Sequence, residues 1–192
     1  RPGLSIKERR QAEDRINEDN LRVWRALRFA YKLGASIASP ADVAIIKYIN
    51  KFFNTPLITD YLLSPKVREC IDTSAIKDRS DFVSKLSNER IRMEIEYILP
   101  HLNSDTKLWF LFTGLLQTTD LPIYKSYGLV QPPEFHDLDV FSHIHYVTFL
   151  VPNSVELRLA GLLHDIGKPF VVEYKEDGTP TFRKHDMAGY GI

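Results

Sequence analysis

Histidines are the most informative residues in this sequence. There are six in 192 residues, and five of them fall between positions 136 and 185. One block is Glu134-Phe135-His136-Asp137-Leu138-Asp139-Val140-Phe141-Ser142-His143. A second is Leu162-Leu163-His164-Asp165-Ile166-Gly167-Lys168-Pro169, and a third is His185-Asp186-x-x-Gly189. Neutral imidazoles and carboxylates suit a hard-to-borderline divalent ion such as Mg²⁺, Mn²⁺, Ni²⁺ or Zn²⁺. Such an ion lowers the pKa of bound water and neutralises phosphate charge, which is what phosphoester hydrolysis needs. His164 and Asp165 are adjacent at an expected helix end, and His143 is expected on a facing helix, so these three are the candidate metal ligands. Lys168 is placed to meet a substrate phosphate. His185, beyond a predicted hairpin, is expected at the rim, nearer phosphate than ion. A lone His-Asp pair is more often a surface feature, and it is the surrounding block that gives this one weight. His101 and His145 read as structural or surface residues. His136 with Asp137 reads as a helix cap or a pocket rim.

A second constellation lies near the start, at Glu18-Asp19-x-x-Arg22. Residues three apart on a helix share a face. An ionised Asp only accepts hydrogen bonds and an Arg only donates them. Side by side they would present an acceptor–donor edge that matches cytosine or adenine and mismatches guanine and uracil. The plainer alternative is a helix N-terminus with acids in its first turn and an i,i+3 ion pair.

The run Arg15-Ile16-Asn17-Glu18-Asp19-Asn20-Leu21-Arg22-Val23-Trp24-Arg25-Ala26-Leu27-Arg28-Phe29-Ala30 resembles the neck motif of the tRNA nucleotidyltransferase family, and Leu33-Gly34 and Ile37 continue the likeness. Asn20 stands where that family usually has Pro. Leu86-Ser87-Asn88-Glu89-Arg90-Ile91-Arg92-x-Glu94 resembles a second motif of the family, one that braces the neck helices. The histidine blocks resemble the HD-domain phosphohydrolase pattern in the version appended to these enzymes. By resemblance, Asp19 and Arg22, with Glu18 and Arg25, would bind and select CTP or ATP, and tRNA or another RNA 3′ end would be the partner. The HD pattern ends with a further Asp in a later helix. The sequence ends at Ile192, seven residues after His185, so that ligand is expected outside it.

The elements that must position these residues are mostly helices. Val23, Trp24, Leu27, Ala30 and Tyr31 form one apolar stripe, which predicts a helix over 19–33 that stops at Gly34. A capping sequence at Ser39-Pro40-Ala41-Asp42 predicts another through Phe52. The stretch 54–79 is irregular. Helices are predicted again over 81–99 and 105–116, from about Leu138, and over 155–165 behind a Ser154 cap. Leu157, Leu159, Leu162 and Leu163 are expected to bury that last helix against the one carrying His143. Asp177-Gly178 between Val171–Tyr174 and Thr179–Phe182 predicts a β-hairpin. The expected fold is all-α with one small β-hairpin and an HD-like C-terminal part. Residues 1–100 are expected to be the nucleotide- and RNA-binding region, and 101–192 the HD-type domain.

Composition bounds the function classes. The net charge is zero, so RNA affinity cannot come from average charge. Residues 1–32 nevertheless carry nine Lys/Arg against five Asp/Glu, a locally basic segment. Cys70, the only cysteine, excludes an internal disulfide and a Cys-rich zinc site, and fits a reducing, cytoplasmic setting. The longest apolar run, Leu108–Phe112, is far short of the roughly 20 residues of a membrane span. Residue 1 is Arg, which points to a fragment. Nucleotidyl transfer needs paired carboxylates for two metals after a Gly-Ser-type turn. No such element is present, so the catalytic head is expected elsewhere. A free-standing HD phosphohydrolase acting on nucleotides or cyclic phosphates, and a non-catalytic RNA-binding module, are the alternatives.

Overall fold

A computed structural model describes residues 6–35, 45, 87–119 and 121–192, and these described residues are mainly helical with one two-stranded antiparallel hairpin. The chain divides into two compact units. One comprises Arg1–Ile98 with Asp105–Thr119, the other Leu99–Ser104 with Asp120–Ile192.

The first unit contains α1 (Ile6–Glu18), α2 (Leu21–Leu33), α3 (Asn88–Ile98) and α4 (Thr106–Leu116). On α2 the buried residues are Leu21, Val23, Trp24, Leu27, Ala30 and Tyr31, the stripe legible in the sequence. Gly34 closes the helix at φ 58°, a left-handed conformation that suits a residue without Cβ. On α4 every residue from Leu108 to Leu116 is buried, as an apolar-all-round helix must be. Asp105 caps it, its Oδ1 accepting the Leu108 N–H at 3.0 Å. Trp24 meets Phe112 edge-on at 6.5 Å, joining α2 to α4.

The helix predicted from Asp19 begins two residues later. Asp19 and Asn20 form a break between α1 and α2. Asp19 Oδ1 accepts the Leu21 N–H at 3.1 Å, and the Asp19 carbonyl accepts the Arg22 N–H. Short polar side chains compete with the helical ladder in this way and so favour ends over interiors. The helix predicted from Ser39 to Phe52 lies outside the described residues except for Ile45, which is helical and buried. The stretch 54–79 and the first residues of the helix predicted over 81–99 also lie outside them.

The second unit contains α5 (Val140–Leu150), α6 (Val155–Leu163), the short α7 (Lys168–Val171), the hairpin strands β1 (Glu173–Tyr174) and β2 (Pro180–Thr181), and α8 (His185–Tyr190). Asp139 caps α5, with Oδ1 on the Ser142 N–H (2.8 Å) and Oδ2 on the Gly128 N–H (2.7 Å). Ser154 caps α6 as predicted, its Oγ accepting the Leu157 N–H. The hairpin pairs Glu173 with Thr181 and Tyr174 with Pro180, and Gly178 turns it at φ 80°. Val171 belongs to α7 instead of extending the first strand.

The face that α6 presents to α5 corrects part of the expectation, since Leu162 is buried and Leu163 half-buried as expected but the other two leucines are not. Leu157 and Leu159 are 45% and 38% exposed, whereas Arg158, Gly161 and Leu162 are the buried residues. A Cβ on Gly161 would stand 3.0 Å from Thr148 Cα, so a missing side chain lets the two helices close. Arg158 Nη1 donates to the Leu102 carbonyl at 3.1 Å, while its buried Nε has no hydrogen-bond partner among the described residues.

Candidate functional site

The turn that follows α6 carries the second unit's chemistry. His164 is the C-cap of α6, and Asp165 is buried directly after it. Four nitrogen-bearing side chains converge on the Asp165 carboxylate. On Oδ2 are Lys168 Nζ at 2.7 Å, His164 Nε2 at 3.0 Å and His143 Nε2 at 3.6 Å. His185 Nε2 stands 3.5 Å from Oδ1. The ligand atoms of His143, His164 and Asp165 all lie within 4.8 Å of one another. The structure therefore brings together the three residues that sequence spacing singled out for a metal.

Backbone carbonyls orient two of the rings. His164 Nδ1 lies 2.8 Å from the Gly161 carbonyl, and His185 Nδ1 lies 2.9 Å from that of Phe182. With Nδ1 of His164 donating to the Gly161 carbonyl, Nε2–H of the charged ring donates to Asp165, and loss of that proton leaves an Nε2 lone pair to offer an ion there. A backbone carbonyl on the far ring nitrogen is the usual support of a metal-binding histidine. Two imidazole nitrogens and a carboxylate oxygen in mutual reach are a donor set that suits a borderline divalent ion.

Electrostatics follows from burial and neighbours. Burial alone would raise the Asp165 pKa, but hydrogen bonds from His164 and Lys168 outweigh it and bring it to about 2. Burial likewise disfavours charge on His164, yet its bonds to Asp165 and the Gly161 carbonyl leave its pKa raised. His143 goes the other way. Burial lowers it, Asp165 opposes, and the neighbouring His164 and Lys168 add to the lowering. His143 thus stays neutral, as a ligand must.

Lys168, assigned to phosphate from the sequence, is buried and already holds Asp165 and Gln131 Oε1, each at 2.7 Å. Gln131 escaped the sequence reading. It is buried in a loop before two prolines, and its Nε2 donates to the Leu138 carbonyl. Nothing in the residue type announces that role. His185 reaches the carboxylate because α8 lies directly on Gly167, where a Cβ would come within 2.0 Å of the His185 carbonyl oxygen. His136 packs its ring 4.9 Å from that of His143. His145 is buried with Nε2 against the Asn103 carbonyl.

In the first unit, Arg22 turns away from Asp19. Its Nη1 donates to Glu18 Oε2 at 2.8 Å and to the Arg15 carbonyl at 2.7 Å. Asp19 instead stands 3.8 Å from Arg25. Arg25 also lies 3.5 Å from Glu94, and Arg28 lies 3.0 Å from it. Glu94 is buried on α3, so it ties that helix to the basic side of α2.

Residues 139–192 match the HD domain family. Over 185 residues the chain is 28% identical to an A-adding tRNA nucleotidyltransferase of Deinococcus radiodurans, which covers 93% of this chain and 36% of that protein. The chain is thus similar to that nucleotidyltransferase along nearly its whole length, and its last residues, 139–192, match the HD domain family. It spans little over a third of the length of that relative. No solved structure matches it. Among the described residues no helix is long and apolar enough to cross a membrane.

Proposed function

We propose that the chain is the neck and HD part of a tRNA nucleotidyltransferase, with residues 1–100 contributing nucleotide and tRNA recognition and residues 101–192 a metal-dependent phosphohydrolase-like domain. The observation that carries this reading is the convergence of His143, His164 and Asp165 on one point within the segment that matches the HD family. Similarity to a nucleotidyltransferase runs along nearly the whole chain. A divalent ion held by these three residues would offset phosphate charge and make water in its shell more acidic.

The chain's own groups define the rest. Lys168 keeps the buried Asp165 ionised and aimed at the two histidines. The Gly161 carbonyl fixes the His164 ring. His185, its Nδ1 against the Phe182 carbonyl, stands 3.5 Å from the carboxylate's other oxygen, and it would meet a substrate phosphate by giving up one of these contacts. A phosphate contact from Lys168 would require it to leave Asp165 or Gln131. In the neck, Asp19 and Arg22 would form their acceptor–donor edge once a base draws Arg22 from Glu18. That exposed pair stabilises by less than about 1 kcal/mol, so the exchange is inexpensive.

A metal-dependent phosphohydrolase without nucleotide selection is favoured by one specific observation, the engagement of Arg22 with Glu18 and Arg15 instead of Asp19. Equilibrium binding of ATP, CTP, GTP and UTP separates the two. The neck reading expects ATP and CTP to bind more tightly than GTP and UTP, and expects Arg22→Ala to erase the difference. Equal binding of all four, with hydrolysis of a cyclic nucleotide intact, selects the second reading.

A further inference from the structure

On α5, His143, Tyr146, Val147 and Leu150 recur at i, i+3, i+4 and i+7, so they share one face of the helix. That face is left open as one wall of a trough of about 510 Å³ whose opposite wall is the loop around Phe135 and Asp137. The volume falls in the range of small-molecule sites. Two aromatic rings stand largely open in it, Phe135 at 76% and Tyr146 at 51% exposure. Phe149 packs against the Tyr146 ring at 5.5 Å and 82°, which holds its orientation. One end of the trough is His143, whose Nε2 faces Asp165. The trough and the metal centre therefore share a residue.

Charge and length say what fits. From His143 to Leu150 the wall runs roughly 10 Å at 1.5 Å per residue, enough for the flat part of a nucleotide but short for an extended chain. Asp137 lines the trough. Asp137 follows His136, whose ring lies 4.9 Å from that of His143, and a carboxylate there disfavours a phosphate within the trough itself, which leaves the metal centre beyond His143 as the place for one. The same carboxylate accepts hydrogen bonds and cannot donate them, which complements an exocyclic amine. Open aromatic faces suit a base, since every base offers a π-face to stack on.

We propose that this trough is a base-binding subsite: it takes the nucleobase of a nucleotide whose phosphate is held at the His143–His164–Asp165 centre, and it prefers an amine-bearing base to uracil. The phosphate half of this assignment rests on the metal-centre reading above. The base half rests on the trough alone.

The test titrates the chain, with Mg²⁺ present, against adenosine 3′-monophosphate, uridine 3′-monophosphate, adenosine and inorganic phosphate. Affinities and Tyr146, Leu150 and His143 resonances are followed. Adenosine 3′-monophosphate should bind about tenfold more tightly than inorganic phosphate, and the exposed substitution Tyr146→Ala should cut that margin to about twofold, the scale of one stacked base. Asp137→Asn should remove the preference for adenosine over uridine 3′-monophosphate. Adenosine alone should shift Tyr146 and Leu150. Equal binding of the nucleotide and inorganic phosphate, or no effect of Tyr146→Ala, overturns the subsite. If adenosine still shifts the trough while phosphate leaves His143 unmoved, the metal-centre reading falls and the base subsite stands.

Discussion

Replacing Lys168 by Met tests whether the ammonium is what allows a carboxylate to be buried at this centre. Lys168 Nζ makes two hydrogen bonds of 2.7 Å, to Asp165 and to Gln131. Methionine keeps most of the volume and removes both. A hydrogen bond to a charged group contributes about 1.5–3 kcal/mol. His164 still supports Asp165 at 3.0 Å, so a loss of about 3 kcal/mol is expected rather than the sum. Asp165→Asn should cost a similar amount by stranding the buried ammonium. The double variant should then lose at least about 1 kcal/mol less than the two single losses added, the mark of a direct pair. Both tryptophans, Trp24 and Trp109, lie in the first unit, so fluorescence would miss the event. Amide exchange in α5 and α6 reads it. The Asp165 pKa falls from 3.8 to about 2 on folding. At about 1.4 kcal/mol per unit that is about 2–3 kcal/mol, present above pH ~4 and lost as the pH falls through about 2. Additive losses, or a Lys168→Met loss below about 1 kcal/mol, would refute the reasoning.

Two further outcomes follow from the packing. Glu94→Ala leaves Arg25 and Arg28 without their buried partner and should destabilise the first unit by about 2–3 kcal/mol, somewhat less than a fully buried pair because both arginines reach solvent; urea unfolding followed by Trp24 and Trp109 fluorescence checks it. Gly167→Ala places a methyl within 2.0 Å of the His185 carbonyl oxygen and should cost about 1–3 kcal/mol. It should also shift the His185 ring resonances, whereas Gly178→Ala at the hairpin tip should leave them unchanged.

Where a residue's role follows from periodicity or a short turn, the sequence showed it. The α2 stripe, the Ser154 cap and the Asp177-Gly178 hairpin are local patterns, and the structure has all three. The convergence of His143 with His164 and Asp165 was legible for a different reason: the HD blocks carry the metal-ligand residue types in a recognisable context. Roles fixed by long-range packing were not. Gln131 supports Lys168 from 37 positions away, and no local signal marks a glutamine for that. Leucine counting mis-set the inner face of α6, because Gly161 closes the helix pair through the side chain it lacks. The helix over 19–33 was placed from its apolar stripe, which does not fix the first turn; Asp19 and Asn20, short polar residues able to end a helix, fall in the break before Leu21.

The central claim is that His143, His164 and Asp165 form one metal centre, and titration calorimetry with Mn²⁺ or Ni²⁺ addresses it directly. Wild-type chain should bind a single ion, with protons released as the raised His164 gives up its charge. His143→Ala, His164→Ala and Asp165→Asn should each weaken that binding by tenfold or more, on the order of losing one ligand. His145→Ala, which alters a buried histidine of the same helix outside the cluster, should bind as wild type does. No binding by the wild type, or equal binding by all four variants, would contradict the account.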